Sequence, residues 1–330
     1  MVVTYANFLA EKGHQVSILT NRLDTVFEVS SFVKIKKIRL RTKIGTIVTA
    51  ILGRFDYDVI VADIIVLATL LSVRNWPRVL YFAQDNDTSY YKDRLRQDFV
   101  DLLYELALGK LDIPCIAVSE GLSRELEKYT HNTRVIPNGI DLAEFYHDPD
   151  DRLLRLKGDR KAILVFGRRD YRKGLDIAIE VLGELALKVE KSAFEIWIVG
   201  DNLPQTCLPF NTRNFSYVSS DRLRTILSSA DVFLYPSRHE GLPLFILEAM
   251  ACKCPIVTTH VVGIVKHLDN GWSMEIGDVQ GLTEGILTIL ENEAFRKDLI
   301  ASALSLVQRF SLTTSKKAFE ESVRTYADRD

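Results

Sequence analysis

The chain has 330 residues, of which 47% are hydrophobic and 26% charged, and its formal net charge at pH 7 is −2. This composition indicates a globular protein large enough for two α/β domains. The near-neutral charge excludes a general attraction to nucleic acid, so any site for an anion must be local. The longest apolar stretch, residues 59–73, is too short to span a bilayer and contains Asp63.

The four cysteines are Cys115, Cys207, Cys252 and Cys254, and their spacing matches no metal site. We interpret them as reduced thiols, which are typical of a cytoplasmic protein. The sequence also begins without the basic-then-apolar pattern of a secretion signal, which supports the same location.

Short β-prone runs alternate with amphipathic stretches along the first part of the chain. Strands are predicted at residues 15–20, 58–62, 78–82, 114–118 and 134–136, and helices at 2–12, 44–53, 65–73, 88–110 and 120–129. This alternation predicts a parallel sheet covered by helices. Because a doubly wound domain usually opens with a strand and a glycine-rich turn, whereas this chain opens with a helix, we expect the first strand to be missing.

The polar segment 147–151, HDPDD, predicts a linker, after which the alternation begins again. Strands are then predicted at residues 162–166, 194–199, 232–235 and 256–258, and helices at 175–189, 222–228, 243–251, 279–291 and 312–327. We therefore expect a first domain over residues 1–147, a second over 148–309, and a C-terminal helical segment over 310–330.

The strongest chemical signal is residues 237–251, SRHEGLPLFILEAMA. Pro243 suits a first helical turn, because its missing N–H costs nothing there. The free amides and partial positive charge of a helix N-terminus favour a diphosphate. Glu240 precedes the helix and can reach the same cavity, while Glu248 can accept two hydrogen bonds from a vicinal diol such as a ribose. The alternative is a buried helix with Glu248 facing solvent, and the complete string favours the binding site.

A second signal is residues 166–174, FGRRDYRKG, which follow a predicted strand and open a predicted helix. Arg168 offers a fork of donors and Lys173 a compact charge, and this pair suits a diphosphate that becomes a leaving group. The alternative is a solvated basic turn, and the position at a strand end favours the functional interpretation.

These two segments together resemble the family 4 glycosyltransferases, whose GT-B fold consists of two Rossmann-like parallel-sheet domains facing across a cleft. Further similarities are VIPNGID at 135–141 followed by Phe145, IVGD at 198–201, NGW at 270–272, GD at 277–278 with Leu282, and Phe310-Ser311. The resemblance implies that the C-terminal helix crosses back to the first domain.

The family implies transfer of a hexosyl or deoxyhexosyl group from a UDP-, GDP- or dTDP-sugar to a saccharide or lipid-linked acceptor, with retention, in cell-surface glycan biosynthesis. Carried over residue by residue, the catalytic set is Arg168 and Lys173 on the diphosphate and Glu240 at the donor sugar. The resemblance implies further donor contacts from Glu248 on the ribose, Ser219 near the base, and Gly167, Asp201, His239, Gly241 and Leu242. Because side chains and helix amides meet the diphosphate charge, we expect no metal and no cofactor.

The first domain departs from the family at Gln84, where many relatives have a histidine. Gln84 can hydrogen-bond a sugar hydroxyl but cannot act as a general base, and with Asp85 it is the candidate acceptor-side residue. This departure leaves open a nucleotide-sugar-binding relative without transfer activity, such as a partner subunit. A third alternative is a sugar-nucleotide epimerase or a dinucleotide-dependent oxidoreductase, although no G-x-G-x-x-G follows a predicted strand.

Residues 34–41, KIKKIRLR, alternate basic and apolar side chains. One interpretation is contact with an anionic lipid or a polyanionic acceptor, and thus peripheral association with the inner face of the cell membrane. The other, which the pattern alone favours, is a solvated edge strand whose lysines prevent aggregation.

Overall fold

The computed structural model describes residues 1–21, 28–38, 42–201, 203 and 208–328. They form two compact units, Met1–Asn138 with Thr313–Asp330, and Gly139–Leu312. Cys207 and residues 39–41 lie outside the described residues. Across the described part of the chain, no helix is both long and apolar enough to cross a membrane.

The first unit contains parallel strands flanked by helices. Its strands are β1 (Ser17–Thr20), β2 (Lys34–Lys37), β3 (Ile60–Ala62), β4 (Val79–Ala83), β5 (Cys115–Ala117) and β6 (Thr133–Val135), and its first helices are α1 (Val2–Glu11), α2 (Lys43–Leu52), α3 (Ile65–Asn75), α4 (Arg94–Tyr104) and α5 (Glu120–Leu126). β1 pairs with β2, and β3, β4, β5 and β6 form a second sheet in that order. The predicted alternation of strands and helices is confirmed here.

The single helix predicted over residues 88–110 is wrong. A short 3-10 turn, Asp87–Tyr90, comes first, α4 begins after Asp93, and a π-helical segment, Glu105–Lys110, follows it. The Asp93 carboxylate accepts a hydrogen bond from the Arg96 amide at 3.0 Å. Aspartate in this position caps a helix instead of continuing one, which explains why α4 begins there.

The second unit is one six-stranded parallel sheet covered by helices. Its strands are β7 (Lys161–Gly167), β8 (Phe194–Gly200), β9 (Asn211–Ser216), β10 (Val232–Tyr235), β11 (Ile256–Thr259) and β12 (Trp272–Met274), and its helices are α6 (Asp151–Lys157), α7 (Leu175–Lys188), α8 (Ser220–Ser229), α9 (Leu244–Ala251), α10 (Val279–Glu291) and α11 (Glu293–Val307). The sheet order is β12-β11-β10-β7-β8-β9. The direction of winding therefore reverses between β7 and β10, and ligands of such sheets bind beyond the strand ends at that point.

The boundary between the two units lies between Asn138 and Gly139, earlier than the predicted boundary after His147. The predicted linker, residues 147–151, is wrong, because this segment lies inside the second unit. Ile140, Phe145 and Leu153 are buried in the core of the second unit. The Asp150 carboxylate accepts a hydrogen bond from the Arg152 amide at 2.8 Å and so begins α6. Of the polar residues that suggest a linker, Asp150 is thus a helix cap, and the Asp148 amide donates to the Ser228 hydroxyl at 2.9 Å.

The last helix, α12 (Leu312–Ala327), contributes to the core of the first unit. The Phe319 ring stacks on Tyr5 at 4.3 Å between centroids and meets the edge of Phe82 at 5.2 Å. The first unit is therefore discontinuous in the sequence.

Candidate active site

Two loops meet at the carboxyl ends of β7 and β10. The Arg238 amide donates to the Arg172 carbonyl at 2.6 Å, and the Ser237 hydroxyl oxygen lies 2.7 Å from the same carbonyl oxygen. Gly174 has φ of +66°, and a Cβ atom there would lie 1.8 Å from the Pro236 carbonyl oxygen. Only glycine fits this position, and the close approach fixes the two loops against each other.

The Glu240 carboxylate is the centre of the contacts between the loops. The Lys173 ammonium donates to its two oxygens at 2.8 and 2.9 Å. The hydroxyls of Tyr235 and Ser237 each donate to Oε1 at 2.7 Å. The Glu240 side chain is 6% exposed and that of Lys173 is 16% exposed, so the pair is shielded from water. A carboxylate with this many charge-assisted and hydroxyl donors has a fixed orientation.

Arg168 follows β7 by one residue and its side chain is exposed. Neighbouring arginines have acidic partners, since Arg172 pairs with Asp170 at 2.8 Å and Arg238 with Asp176 at 2.7 Å. Within the described residues, neither Arg168 nor the equally exposed Arg169 makes a comparable ion pair. Arg168 is therefore one of two basic groups of this loop that can meet an added anion.

Helix α9 begins at the same edge of the sheet. Pro243 is its N-cap residue, one position earlier than the predicted first helical turn, and no side chain caps the helix. The Ile246 amide donates to the Pro243 carbonyl at 3.1 Å. The amides of Leu244 and Phe245 precede it in the first turn, where helix ends hold phosphate groups. Gly241 and Leu242 lie half-buried immediately before it.

Glu248 lies in the second turn of α9 and is half-buried. Burial, and to a lesser extent the charge of Glu144, raise the pKa of Glu248 to about 8. No group of the described residues donates a hydrogen bond to this carboxyl. A diol that donates two hydrogen bonds would stabilise its charged form.

The remaining predicted donor residues have clear local roles. The Asp201 amide donates to the Gly167 carbonyl at 2.6 Å, and the Asp201 carboxylate accepts from Tyr217 at 3.0 Å. The Ser219 hydroxyl caps α8 by accepting from the Arg222 amide at 3.5 Å. The His239 carbonyl oxygen lies 3.2 Å from the Ser237 hydroxyl oxygen. Ser219 therefore has a structural role that the sequence does not predict.

The acceptor-side candidates belong to the first unit. Gln84 follows β4 and lines a cavity of about 490 Å³ together with α1 residues, Glu28 and Lys316. The half-buried Asp85 carboxylate accepts from the Asn86 amide at 2.9 Å.

Asp87 is a buried residue that the sequence does not single out. Its carboxylate accepts from the Ile65 amide at 2.6 Å, at the start of α3. Burial raises the pKa of Asp87 to about 7; the Ile65 hydrogen bond opposes this, while the charges of Asp85 and Asp63 add to it. The sequence signal that could have identified Asp87 is its position shortly after a buried strand, where a polar side chain needs a hydrogen-bond partner. Asp87 is thus a helix cap, although Asp85 and Asp87 have the spacing of a metal-binding pair.

Tyr235 and Ser237 are the residues of the carboxylate cluster that sequence reasoning misses. Burial, and then the charge of Glu240, raise the pKa of Tyr235 well above its ordinary value, so its hydroxyl remains a donor. Their position at the end of β10 is the signal that could have identified them.

Two solved structures share this architecture. Sucrose-phosphate synthase of Thermosynechococcus elongatus aligns with a TM-score of 0.81 and 20% identity, covering 98% of this chain and 92% of that one. Anabaena HepE, solved with UDP and glucose, aligns with a TM-score of 0.74 and 17% identity, covering 98% and 95%. The fold is therefore GT-B, with two Rossmann-like units.

The family follows from the sequence. A profile described as Glycosyltransferase Family 4 matches residues 1–144, and one described as Glycosyl transferases group 1 matches residues 160–292. An uncharacterised glycosyltransferase of Methanocaldococcus jannaschii, MJ1607, is 28% identical over 211 residues, 57% of this chain and 53% of that protein. The match spans about half the length of such curated relatives. The chain belongs to the family 4 glycosyltransferases.

Proposed function

We propose that this protein is a retaining glycosyltransferase that moves a sugar from a nucleotide-sugar donor to a saccharide or lipid-linked acceptor in glycan biosynthesis. The observation that carries the proposal is the Lys173–Glu240 pair at the β7/β10 switch point, next to the uncapped start of α9. Family membership supports the reaction class, and the structural likeness to a protein solved with UDP and glucose supports a nucleotide-sugar donor.

The proposed mechanism is electrostatic. When the bond between sugar and diphosphate breaks, negative charge develops on the diphosphate. Arg168, Lys173 and the first amides of α9 stabilise this charge more in the transition state than in the bound donor. Glu240 holds the Lys173 ammonium in place and contacts the donor sugar, so no metal is required by this arrangement.

The proposed nucleotide contacts are on the same unit. The Glu248 carboxylate accepts hydrogen bonds from the two ribose hydroxyls, and the base lies near Asp201 and Ser219. Gly167, Gly241 and Leu242 let the backbone approach the donor closely, and His239 contacts it from the turn before α9.

Thermal unfolding with UDP, GDP, dTDP, ADP or CMP tests the donor site. A nucleotide at 100 times its dissociation constant should stabilise the protein by about 2.7 kcal/mol. Glu248→Ala and Arg168→Ala should lose this effect, and Arg155→Ala, an exposed arginine on α6, serves as the matched control. A stabilisation that survives in both site variants would contradict the proposed contacts.

A second candidate function is nucleotide-sugar binding without transfer. It is favoured by Gln84, because an amide that cannot act as a general base lines the cavity of the first unit. Incubation of the protein with saccharide acceptors and with sugar conjugates of the stabilising nucleotide distinguishes the two candidate functions. A product with retained anomeric configuration supports the transferase. Tight binding without turnover supports the binding protein.

A cytoplasmic location is part of the proposal. Cys115, Cys252 and Cys254 are buried free thiols, which is typical of a reducing compartment.

A further inference from the structure

Helix α4 in the first unit exposes a stripe of large apolar side chains. The stripe consists of Leu95, Phe99 and Leu102, with exposed fractions of 83%, 57% and 56%, and of Leu106, with 38%, in the π-helical segment that continues α4. Their spacing of four, three and four residues places them along one side of the helix, like the core positions of a coiled coil. A surface helix normally has polar residues on the side that faces solvent. We call this set of four residues the α4 stripe.

Contacts on the inner side of α4 fix this orientation. Val100, Leu103 and Tyr104 are buried. The Tyr104 hydroxyl accepts a hydrogen bond from the Asp87 amide at 2.9 Å, and its ring stacks on Tyr129 with 4.9 Å between the centroids. The helix cannot turn the α4 stripe inward without breaking these contacts. An exposed apolar patch that the fold holds in place in this way marks a binding surface.

One flank of the α4 stripe carries charges of both signs. Arg94, Asp98 and Glu105 are spaced by four and seven residues, so they lie on the same flank, with the arginine at its N-terminal end and Glu105 at its C-terminal end. All three are exposed, and in the part of the chain that the structure describes they form no ion pair. The other charged groups of α4 and its cap have partners within the first unit, namely Arg96 with Asp93 and Asp101 with Lys128.

A second copy of α4 in antiparallel orientation complements both the apolar stripe and the charged flank. A two-fold axis through the middle of the α4 stripe places Leu95 of one copy close to Leu106 of the other. The same rotation brings the flank of one copy against the same flank of the other with its direction reversed, so Arg94 of each copy comes near Glu105 of the other. In a parallel pair, the two arginines would meet and the two glutamates would meet.

Trp76 enlarges the surface available to a partner. Its side chain is 58% exposed, and its indole N–H donates to the Leu111 carbonyl at 3.0 Å, so it lies where the π-helical segment ends. With the α4 stripe, it offers an area below the ~800 Å² that each partner contributes to a standard interface. The size therefore suits a dimer that dissociates on dilution.

We propose that the α4 stripe joins two copies of this chain in an antiparallel, two-fold symmetric dimer. Asp98 and Glu105 beside the stripe disfavour an anionic surface as its partner, whereas a second copy satisfies them through Arg94. The α4 stripe lies outside the donor-site residues, so dimerisation and nucleotide binding succeed or fail separately.

Sedimentation velocity of the full chain over a series of concentrations tests the dimer. The unchanged protein should pass from monomer to dimer as its concentration rises through the micromolar range. Leu95→Ser with Leu102→Ser should raise the dissociation constant at least about tenfold, because two leucine side chains lose their burial. The matched control, Leu156→Ser with Leu187→Ser in the second unit, removes leucines that are 46% and 82% exposed and should dimerise like the unchanged protein. An unchanged melting temperature verifies that each variant folds.

A charge exchange tests the antiparallel orientation. Arg94→Glu and Glu105→Arg should each weaken the dimer about threefold, and the double variant should recover it, because the ion pair between the copies is restored with its signs reversed. Failure of this recovery, or equal dimerisation by the Leu95/Leu102 variant, would overturn the proposal. A monomer at every concentration would also overturn it, and binding of that monomer to phosphatidylglycerol vesicles through the two leucines would assign the α4 stripe to a membrane instead.

Discussion

The ionisation of Glu248 links the site to the stability of the protein. Burial raises its pKa from 4.5 to about 8, so the folded protein binds a proton at neutral pH that the unfolded chain does not. The stabilisation from this proton is complete below about pH 4.5 and is lost as the pH rises to about 8.

We expect Glu248→Gln to remove this dependence. Relative to the unchanged protein, the variant should become more stable as the pH rises from 5 to 8, by a few kcal/mol at most (~1.4 kcal/mol per pH unit). Urea unfolding at several pH values measures the difference. Because Asp87 also has a raised pKa, both proteins should retain part of the slope, and only their difference reports on Glu248. A difference that is constant with pH would contradict the assignment.

The Lys173–Glu240 pair permits a prediction about unfolding free energy. Lys173→Ala leaves the Glu240 carboxylate buried with hydroxyl donors alone, and we expect a loss of about 3 kcal/mol. Lys297→Ala, which breaks an ion pair with Glu293 between side chains that are 72% and 67% exposed, should cost about 1 kcal/mol or less. Denaturant titration compares the two, and equal losses would show that the Lys173 pair is not shielded from water.

At the scale of elements, the close approach of two loops depends on Gly174. Gly174→Ala forces a Cβ atom into the Pro236 carbonyl, so the loops must separate and the Glu240 cluster must open. We expect loss of nucleotide-induced stabilisation together with a lower melting temperature.

Gly158→Ala is the matched control for this prediction. Gly158 also has a positive φ, +59°, but its added Cβ atom would meet nothing within 4 Å. It should cost only the strain of this glycine-favouring conformation (φ +59°, ψ −136°), on the order of 1–3 kcal/mol, and leave nucleotide binding intact. Intact binding in Gly174→Ala would show that the loops tolerate separation.

The sequence predicts the strands and most helices because their apolar periodicity is local. It fails at residues 147–151 and at 88–110, where Asp150 and Asp93 are helix caps whose polarity also suits a linker or a continuous helix. The motifs at 166–174 and 237–251 lie in two loops that the structure brings into contact at the carboxyl ends of β7 and β10. The pairing of Lys173 with Glu240 is not predicted, because it joins residues far apart in the sequence through the sheet order.

At the scale of the whole molecule, α12 determines the integrity of the first unit. Phe319→Ala removes a buried ring from its contacts with Tyr5 and Phe82, and we expect a loss of about 3–5 kcal/mol. Hydrogen exchange should quicken in α1 and β4, while the strands of the second unit keep their protection. Uniform loss of protection in both units would contradict this assignment.

The chain enters and leaves the second unit at one place. The Ile140 amide donates to the Phe310 carbonyl at 2.9 Å, and the Leu312 amide donates to the Ile140 carbonyl at 2.8 Å. The second unit is one continuous stretch of the sequence, whereas the first unit, although its synthesis begins first, lacks Phe319 until α12 has been made. The N-terminal unit of a nascent chain therefore keeps an incomplete core, accessible to chaperones, until the last helix is available.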